Sequence, residues 1–195
     1  MNISKSDIVS KIRTAIDDIV PTAQDSFTAD TDAELWQAAQ HAVEELQEEL
    51  PLEKLQPSVL SASASGTQDG GSVFVLGSDF LRFVNVRLSG WAGPVGELLE
   101  RDSDEHKRQR SSWSRGTAQK PRAVIDFNAS GAMILVGWPA GDKAVFNYIP
   151  KAQVSSSSIT CALKEECLRM VIYRSASIFF EGKKEADTAE KFRNL

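Results

Sequence analysis

The densest group of side chains able to act as acids, bases or metal ligands lies where Asp102, Asp104 and Glu105 precede His106. A calcium loop would need a regular ligand spacing and a glycine, and this segment has neither. His41 stands alone near the polar side of a predicted helix, as a surface histidine does. Two isolated histidines give little support to general acid–base catalysis. We therefore predict no metal site, no catalytic residue, no enzyme activity and no cofactor.

The motifs of covalent and phosphate chemistry are also missing. No Gly-x-Ser-x-Gly follows a predicted strand, so a nucleophile elbow is not expected. The glycine-rich segment 66–71 lacks the lysine and the following helix of a phosphate-binding loop. Cys161 and Cys167 fall on one predicted helix, where they would point to different faces and would not bridge each other. We expect two reduced, buried thiols.

Two helices are predicted in the N-terminal part of the chain. The first begins at an N-cap, Ser4, and a polar loop over 22–29 follows it. The second begins with a capping box formed by Thr31 and Glu34, and Pro51 ends it. Its outer surface carries four carboxylates, which we call the acidic face: Glu44, Glu45, Glu48 and Glu49. Such a run is typical of a solvated helix surface.

The middle of the chain predicts β structure. Segment 61–72 (SASASGTQDGGS) is of low complexity and too polar to bury, which predicts a flexible loop or an arm. Strands are predicted at Phe80–Leu88, Val124–Phe127, Met133–Trp138 and Ala144–Ile149. Turn residues separate the last three strands closely enough for an antiparallel meander. A short helix capped near Ser103, then a basic loop, is predicted before that meander.

The last part of the chain predicts helices again. A helix of more than five turns is expected from Ile159 to Ile178, with Ser158 as its cap and Gly182 at its end. A shorter helix is expected over 185–195.

Runs of strands separated from runs of helices favour an α+β fold rather than a parallel sheet. We predict that residues 1–57 and 151–195 form a helical core packed as a bundle. Residues 58–150 would form an antiparallel β insertion between its two halves.

Composition narrows the class of protein. The chain has 195 residues, 42% hydrophobic and 25% charged, with a formal net charge of -5, which suits a globular protein with its own core. A mildly acidic chain is a poor free-standing nucleic-acid binder, because such binding needs clustered Lys and Arg. No run approaches the ~20 apolar residues of a membrane span, and the N-terminus does not resemble a signal peptide. We expect a protein made in the cytoplasm, with no membrane partner.

Aromatic residues lie in or near the basic segment (Lys107–Arg122). Trp91, Trp113 and Trp138 fall at strand ends or in that segment. Phe179 and its neighbour at 180 point ~100° apart on a helix, so both cannot face one core stripe. We expect Trp138 and one of the two phenylalanines in the core. An exposed aromatic beside basic residues is typical of a protein–protein interface.

The run from Asp79 to Trp91 (DFLRFVNVRLSGW), followed by Pro94-Val95, resembles the head–tail connector (adaptor) proteins of tailed phages. The nearest likeness is to the neck ring proteins of crAss-like phages and related prophages. Residues 116–121, which precede a strand, and the closing helix pair over 163–195 add to it. The resemblance covers nearly the whole chain in layout and short phrases, without a catalytic signature.

The resemblance implies a virion structural protein that forms a ring, usually twelvefold, in the neck between the portal and the tail. Its partners would be further copies of itself, the portal protein, neighbouring neck or tail proteins, and DNA that passes through the lumen without sequence-specific binding. The expected subunit or portal interface consists of Trp91, Arg108, Arg110, Trp113, Phe180 and Phe192. The acidic face would line the channel and repel the DNA phosphates.

Two alternatives stay open at the level of sequence. One is another virion ring, such as a tail-completion or tail-terminator protein. The other is a small-ligand-binding or hydrolytic domain that uses the β insertion as a cup, with Asp104 and His106 at its mouth.

Overall fold

The computed structural model describes residues 1–20 and 29–195. Within these ranges the chain is a mixed α/β protein with five α-helices and three antiparallel sheets. It divides into two compact units, one made of residues 1–56 and 151–195 and the other of residues 57–150. We call them the helical unit and the β unit.

Helix α1 (Lys5–Ile19) begins where the sequence predicts. The side chain of Ser4 caps it by accepting a hydrogen bond from the backbone N–H of Asp7 at 3.2 Å. Its apolar stripe is buried, and the buried residues are Ile8, Val9, Ile12 and Ile16. Burial of this stripe explains why the 3.6-residue period predicts the helix correctly.

Helix α2 (Ala29–Glu49) begins before Thr31, so the predicted capping box is wrong. Thr31 lies inside the first turn and is buried. The predicted loop over 22–29 lies outside the described residues, apart from the helical Ala29. The helix ends just ahead of Pro51, which cannot continue it.

The predicted long helix from Ile159 is wrong over its first part. Ser158–Thr160 form β10, which pairs antiparallel with β1 (Asn2–Ser4) and with β9 (Gln153–Val154). Ile159 lies opposite Ile3, and both are buried in this small sheet. Because a buried strand and a buried helix both place apolar residues at short intervals, the spacing alone is ambiguous here.

The two cysteines therefore do not share a helix. Cys161 follows β10, and Cys167 ends a 3-10 turn (Glu165–Cys167). Both thiols are free and buried. Burial raises the pKa of the Cys161 thiol, which keeps it protonated at neutral pH.

Helix α4 (Leu168–Gly182) ends at the predicted glycine, and α5 (Ala186–Arg193) follows it. α4 packs against α1, α2 and α5. Phe180 and Phe192 stack in this core, with ring centroids 5.5 Å apart. The Ser177 hydroxyl donates to the backbone oxygen of Ala189 at 3.0 Å, which joins α4 to α5.

The β unit holds two sheets that share one core. One sheet has the order β2-β8-β5 and comprises Ser58–Ser63, Lys143–Pro150 and Phe80–Leu88. The other has the order β3-β4-β7-β6 and comprises Gly66–Gln68, Gly71–Val75, Met133–Trp138 and Arg122–Phe127. Phe74 of β4 meets Phe146 of β8 edge to face at 5.7 Å, and both are fully buried.

The predicted flexible loop over 61–72 is wrong. This segment contains the end of β2, all of β3 and the start of β4. Its polar backbone is satisfied by the strand ladders, and Ala62 and Ala64 pack on the core between exposed serines. Small apolar residues alternating with serine therefore suffice for a half-buried strand.

The predicted three-strand meander is also wrong in part. β6 and β7 form the expected hairpin, and β7 has the predicted bounds. β8 instead leaves this sheet and becomes the central strand between β2 and β5. The turn after Trp138 thus carries the chain from one sheet to the other.

Candidate interface and acidic face

A short helix introduces the basic segment. α3 (Asp104–Arg108) begins at Ser103, whose side chain accepts a hydrogen bond from the backbone N–H of His106 at 3.1 Å. Carboxylates occupy its first turn and basic side chains its last, which suits the helix dipole. The helix predicted near Ser103 is confirmed.

His106 anchors this helix to the core of the β unit. Its side chain is buried, and its ring lies 5.9 Å from that of Trp138. Its Nδ1 accepts a hydrogen bond from the backbone N–H of Asp102 at 3.1 Å. His106 is therefore engaged inside the unit rather than open at a ligand-binding mouth. Among residues 1–20 and 29–195, no group of three or more His, Cys, Asp or Glu side chains is placed to hold a metal ion.

Gln109 fixes both ends of the loop that follows α3. It is a buried polar residue, and its amide donates to the backbone oxygen of Glu105 at 2.9 Å. Its side-chain oxygen accepts from the backbone N–H of Gly116 at 2.8 Å. A buried side-chain amide whose donor and acceptor are both hydrogen-bonded orders the backbone around it. The loop therefore has a defined conformation.

The Arg115 side chain is hydrogen-bonded within the β unit. Its Nε donates to the backbone oxygen of Gln109 at 3.0 Å, and its guanidinium lies against Gly70. A Cβ at Gly70 would lie 2.1 Å from Nη1 of Arg115, and the φ of +73° there also favours glycine. The Asp69-Gly70 turn therefore makes room for a cation of the basic segment.

Trp113 lies at the tip of the loop and is 97% exposed. Backbone and hydroxyl hydrogen bonds hold the chain on either side of it. The backbone N–H of Ser111 and the hydroxyl of Ser114 both donate to the backbone oxygen of Arg108, at 3.1 and 2.7 Å. An ordered turn thus presents an indole with almost its whole surface in solvent.

The cations beside Trp113 are also exposed. Arg110 lies 3.4 Å from Asp69, and Lys107 lies 3.9 Å from Asp104, both as loose ion pairs. Within the described part of the chain, the Arg108 guanidinium makes no ion pair. Three of the predicted interface residues, Arg108, Arg110 and Trp113, are therefore exposed on the same loop segment.

The other three predicted interface residues are core residues of this chain. Trp91 is 2% exposed and donates its Nε1–H to the backbone oxygen of Pro139 at 2.8 Å. Phe180 and Phe192 are buried in the helical unit. Their side chains are unavailable to a partner without unfolding, so we remove them from the predicted interface. Burial of Trp138 and Phe180 confirms the predicted core positions.

The acidic face divides into two halves. Arg174 of α4 binds Glu45 at 2.7 Å and Glu49 at 3.4 Å, so these carboxylates join α2 to α4. The hydrogen bond that Arg174 donates to Glu45 raises the pKa of the Arg174 guanidinium above its ordinary value. Glu44 and Glu48 remain exposed, with His41 at 4.0 Å from Glu44.

The chain matches no protein-family model and no curated protein at a significant level. In the described residues, no helix has both the length and the apolar character needed to cross a membrane.

Proposed function

We propose that this chain is a virion structural protein that assembles into a ring in the neck of a tailed phage and joins the portal to the tail. The observation that carries the proposal is Trp113, which is 97% exposed at the tip of an ordered loop. Tryptophan and arginine are the residues that most often dominate binding energy at protein interfaces. An ordered loop that presents Trp113 beside Arg108 and Arg110 is therefore best explained as a binding surface.

The resemblance to head–tail connector proteins supplies the identity of the assembly. In this proposal the helical unit is a bundle that forms the connector core, and the β unit is an insertion between its two halves. Copies would meet through different surfaces on each neighbour, and such a contact closes into a ring when the rotation per subunit is right. The twelvefold number, the portal partner and the location in the virion rest on the resemblance alone.

Only two of the four carboxylates of the acidic face are available for a role in this proposal. Glu44 and Glu48 point to solvent, while Glu45 and Glu49 are bound by Arg174. Exposed carboxylates that border the lumen would repel DNA phosphates and let DNA pass without sticking. An image of the assembled ring with Glu44 and Glu48 on its outer surface would contradict this role.

The interface is tested by charge reversal. The double variant Arg108→Glu and Arg110→Glu should abolish assembly with the portal, because both cations are exposed on the segment that carries Trp113. The control is Lys151→Glu with Lys191→Glu, which makes the same change in net charge at exposed positions outside the basic segment. Co-sedimentation with the portal measures assembly, and circular dichroism checks that each variant is folded.

The two variants separate the possible results. Loss of assembly in the Arg108 and Arg110 variant alone supports the interface. Assembly that survives in this variant, or that is lost equally in the control, contradicts it. Trp113→Ala should reproduce the loss without any change in net charge.

A further inference from the structure

The β unit has one long strand edge that the described chain leaves open. β2 (Ser58–Ser63) pairs with β8 on one side, and no strand among the described residues pairs with its other side. The other long edges, those of β5 and β6, are each covered in part. Val95 exchanges two backbone hydrogen bonds with Val86 of β5, and Leu99 donates to the backbone oxygen of Ala123 in β6. Both of these edges therefore have a covering segment at one position, and β2 has none among the described residues.

Two hydrogen bonds establish which backbone groups of β2 point outward. The backbone N–H of Ser89 donates to the backbone oxygen of Lys143, so the N–H and C=O groups of Lys143 point toward β5 rather than β2. The N–H of Ala64 donates to the oxygen of Asp142, which therefore faces β2. Because the direction alternates along an antiparallel pair, the N–H and C=O groups of Val59, Ser61 and Ser63 point away from β8.

This edge lacks the usual safeguards against strand pairing. Natural edge strands carry charges, proline, bulges or a covering segment, because an open ladder recruits another strand. β2 contains neither a charge nor a proline, its register with β8 is regular, and Val59 is 68% exposed. An edge of this kind in a native protein indicates a partner that adds a strand.

We infer that β2 is a self-association edge, which pairs antiparallel with β2 of a second copy. A two-fold axis through Ser61 places Ser61 opposite its own copy and Val59 opposite Ser63. All three residues present outward N–H and C=O groups, so this register forms six backbone hydrogen bonds, about two for each directly opposed pair. It also keeps the exposed side chains of both strands on one face, as a pleated sheet requires.

The strand's own copy can occupy this edge without charge repulsion. Neither strand carries a charge, so no like charges are opposed across the new pair. The nearest cation of the same sheet surface is Lys143, which is paired with Ser63. In the proposed register the two copies of Lys143 lie about 20 Å apart, from the spacing of strands and residues. That separation exceeds the Debye length at physiological salt, so their repulsion is screened.

This inference does not depend on a role in the phage neck. A two-fold pair uses the same surface on both copies, whereas a closed ring needs different surfaces on each neighbour. Failure of the portal experiment would leave the β2 pair untouched, and the reverse also holds.

The test uses the full chain and its mass in solution as a function of concentration. Ser61→Pro removes one outward N–H without removing a bond to β8, and Ser61→Thr is its control. Val59→Lys places a charge at the edge. Val145→Lys places the same charge on the same sheet surface in the central strand β8, where the side chain is 43% exposed. Sedimentation velocity measures mass, and thermal unfolding checks folding.

The wild-type chain should show a dimer that dissociates on dilution. Ser61→Pro and Val59→Lys should each raise the dissociation constant at least about tenfold, whereas Ser61→Thr and Val145→Lys should leave it within about twofold. A wild-type chain that stays monomeric at every concentration overturns the inference. So does a dimer that is insensitive to both edge variants, or a larger oligomer that they do not disrupt.

Discussion

The acidic face and the basic segment are both runs of like charge, and the protein uses them differently. On α2, Glu45 and Glu49 bind Arg174, so half of the acidic face holds two helices together. In the basic segment, Arg115 is bound within the unit, whereas Arg108 and Arg110 are exposed and Arg110 makes only a loose ion pair with Asp69. A charge run therefore contributes to packing where the fold binds its side chains closely, as at Glu45, and stays open to a partner where they are bound loosely or not at all, as at Arg110 and Arg108.

The largest expected effect separates a buried aromatic residue of the helical unit from the exposed Trp113 of the basic segment. Phe192→Ala should lower the free energy of unfolding by about 3–5 kcal/mol, because it removes a fully buried ring stacked on Phe180. Trp113→Ala should change it by less than about 0.5 kcal/mol, because the indole contacts almost nothing. Urea denaturation measures both values. Equal costs for the two variants would break the comparison.

A smaller effect is expected from the residue that orders the basic segment. Gln109→Ala should cost about 1–3 kcal/mol, because it removes a buried side chain and leaves the partly buried backbone groups of Glu105 and Gly116 without their partner. Hydrogen exchange should also speed up over residues 105–116. Retained protection there would mean that Trp113 is not held by this anchor.

The ion pairs between α2 and α4 should contribute less. Arg174→Ala should cost about 0.5–1 kcal/mol, since the carboxylates of Glu45 and Glu49 are partly exposed and screened by solvent. A double-mutant cycle with Glu45→Gln should recover most of this value as coupling energy. Glu48→Gln is the control and should be near neutral. A cost for Glu48→Gln equal to that of Glu45→Gln would remove the distinction between the two halves of the acidic face.

The smallest effect is a pH dependence at the surface of the helical unit. The hydrogen bond and the charge of Lys54, 3.0 Å away, lower the pKa of Glu166. A carboxylate with a lowered pKa in the folded state stabilises the fold above its ordinary pKa of about 4.3, and this stabilisation is lost as the pH falls through the lowered pKa. The melting temperatures of the wild type and Glu166→Gln should therefore differ at pH 7 and converge in acid. A difference that is constant with pH would contradict this assignment.

Strands rich in large apolar residues were predictable from the sequence, and strands built from small residues were not. Phe80–Leu88 and Met133–Trp138 have the predicted bounds because their apolar residues fill the core. The predicted loop over 61–72 takes in the end of β2 and all of β3, because serine, alanine and glycine carry little hydrophobic signal. The pair Asp69-Gly70 was the missed indication, since both residues have positive φ and form the two-residue hairpin turn that Asp-Gly favours.

The sequence predicts which residue types the candidate site contains, but not which of them are exposed. Sequence identifies Trp91 and Trp113 as aromatics near basic residues, but their burial depends on contacts that are distant along the chain. Trp91 reaches the backbone oxygen of Pro139, whereas Trp113 reaches nothing comparable. The same limit applies to the acidic face, because Arg174 is far from α2 in sequence and no local pattern pairs them.

We expect the exposed Trp113 and the cations of its loop to bind a partner in the phage neck. The most direct test is the mass of the full chain alone and mixed with the portal protein, for the wild type and for Trp113→Ala. The account predicts a discrete ring-sized complex only in the wild-type mixture, and no species above two chains without the portal. A ring that forms equally well with Trp113→Ala, or no complex with the portal at all, would contradict it.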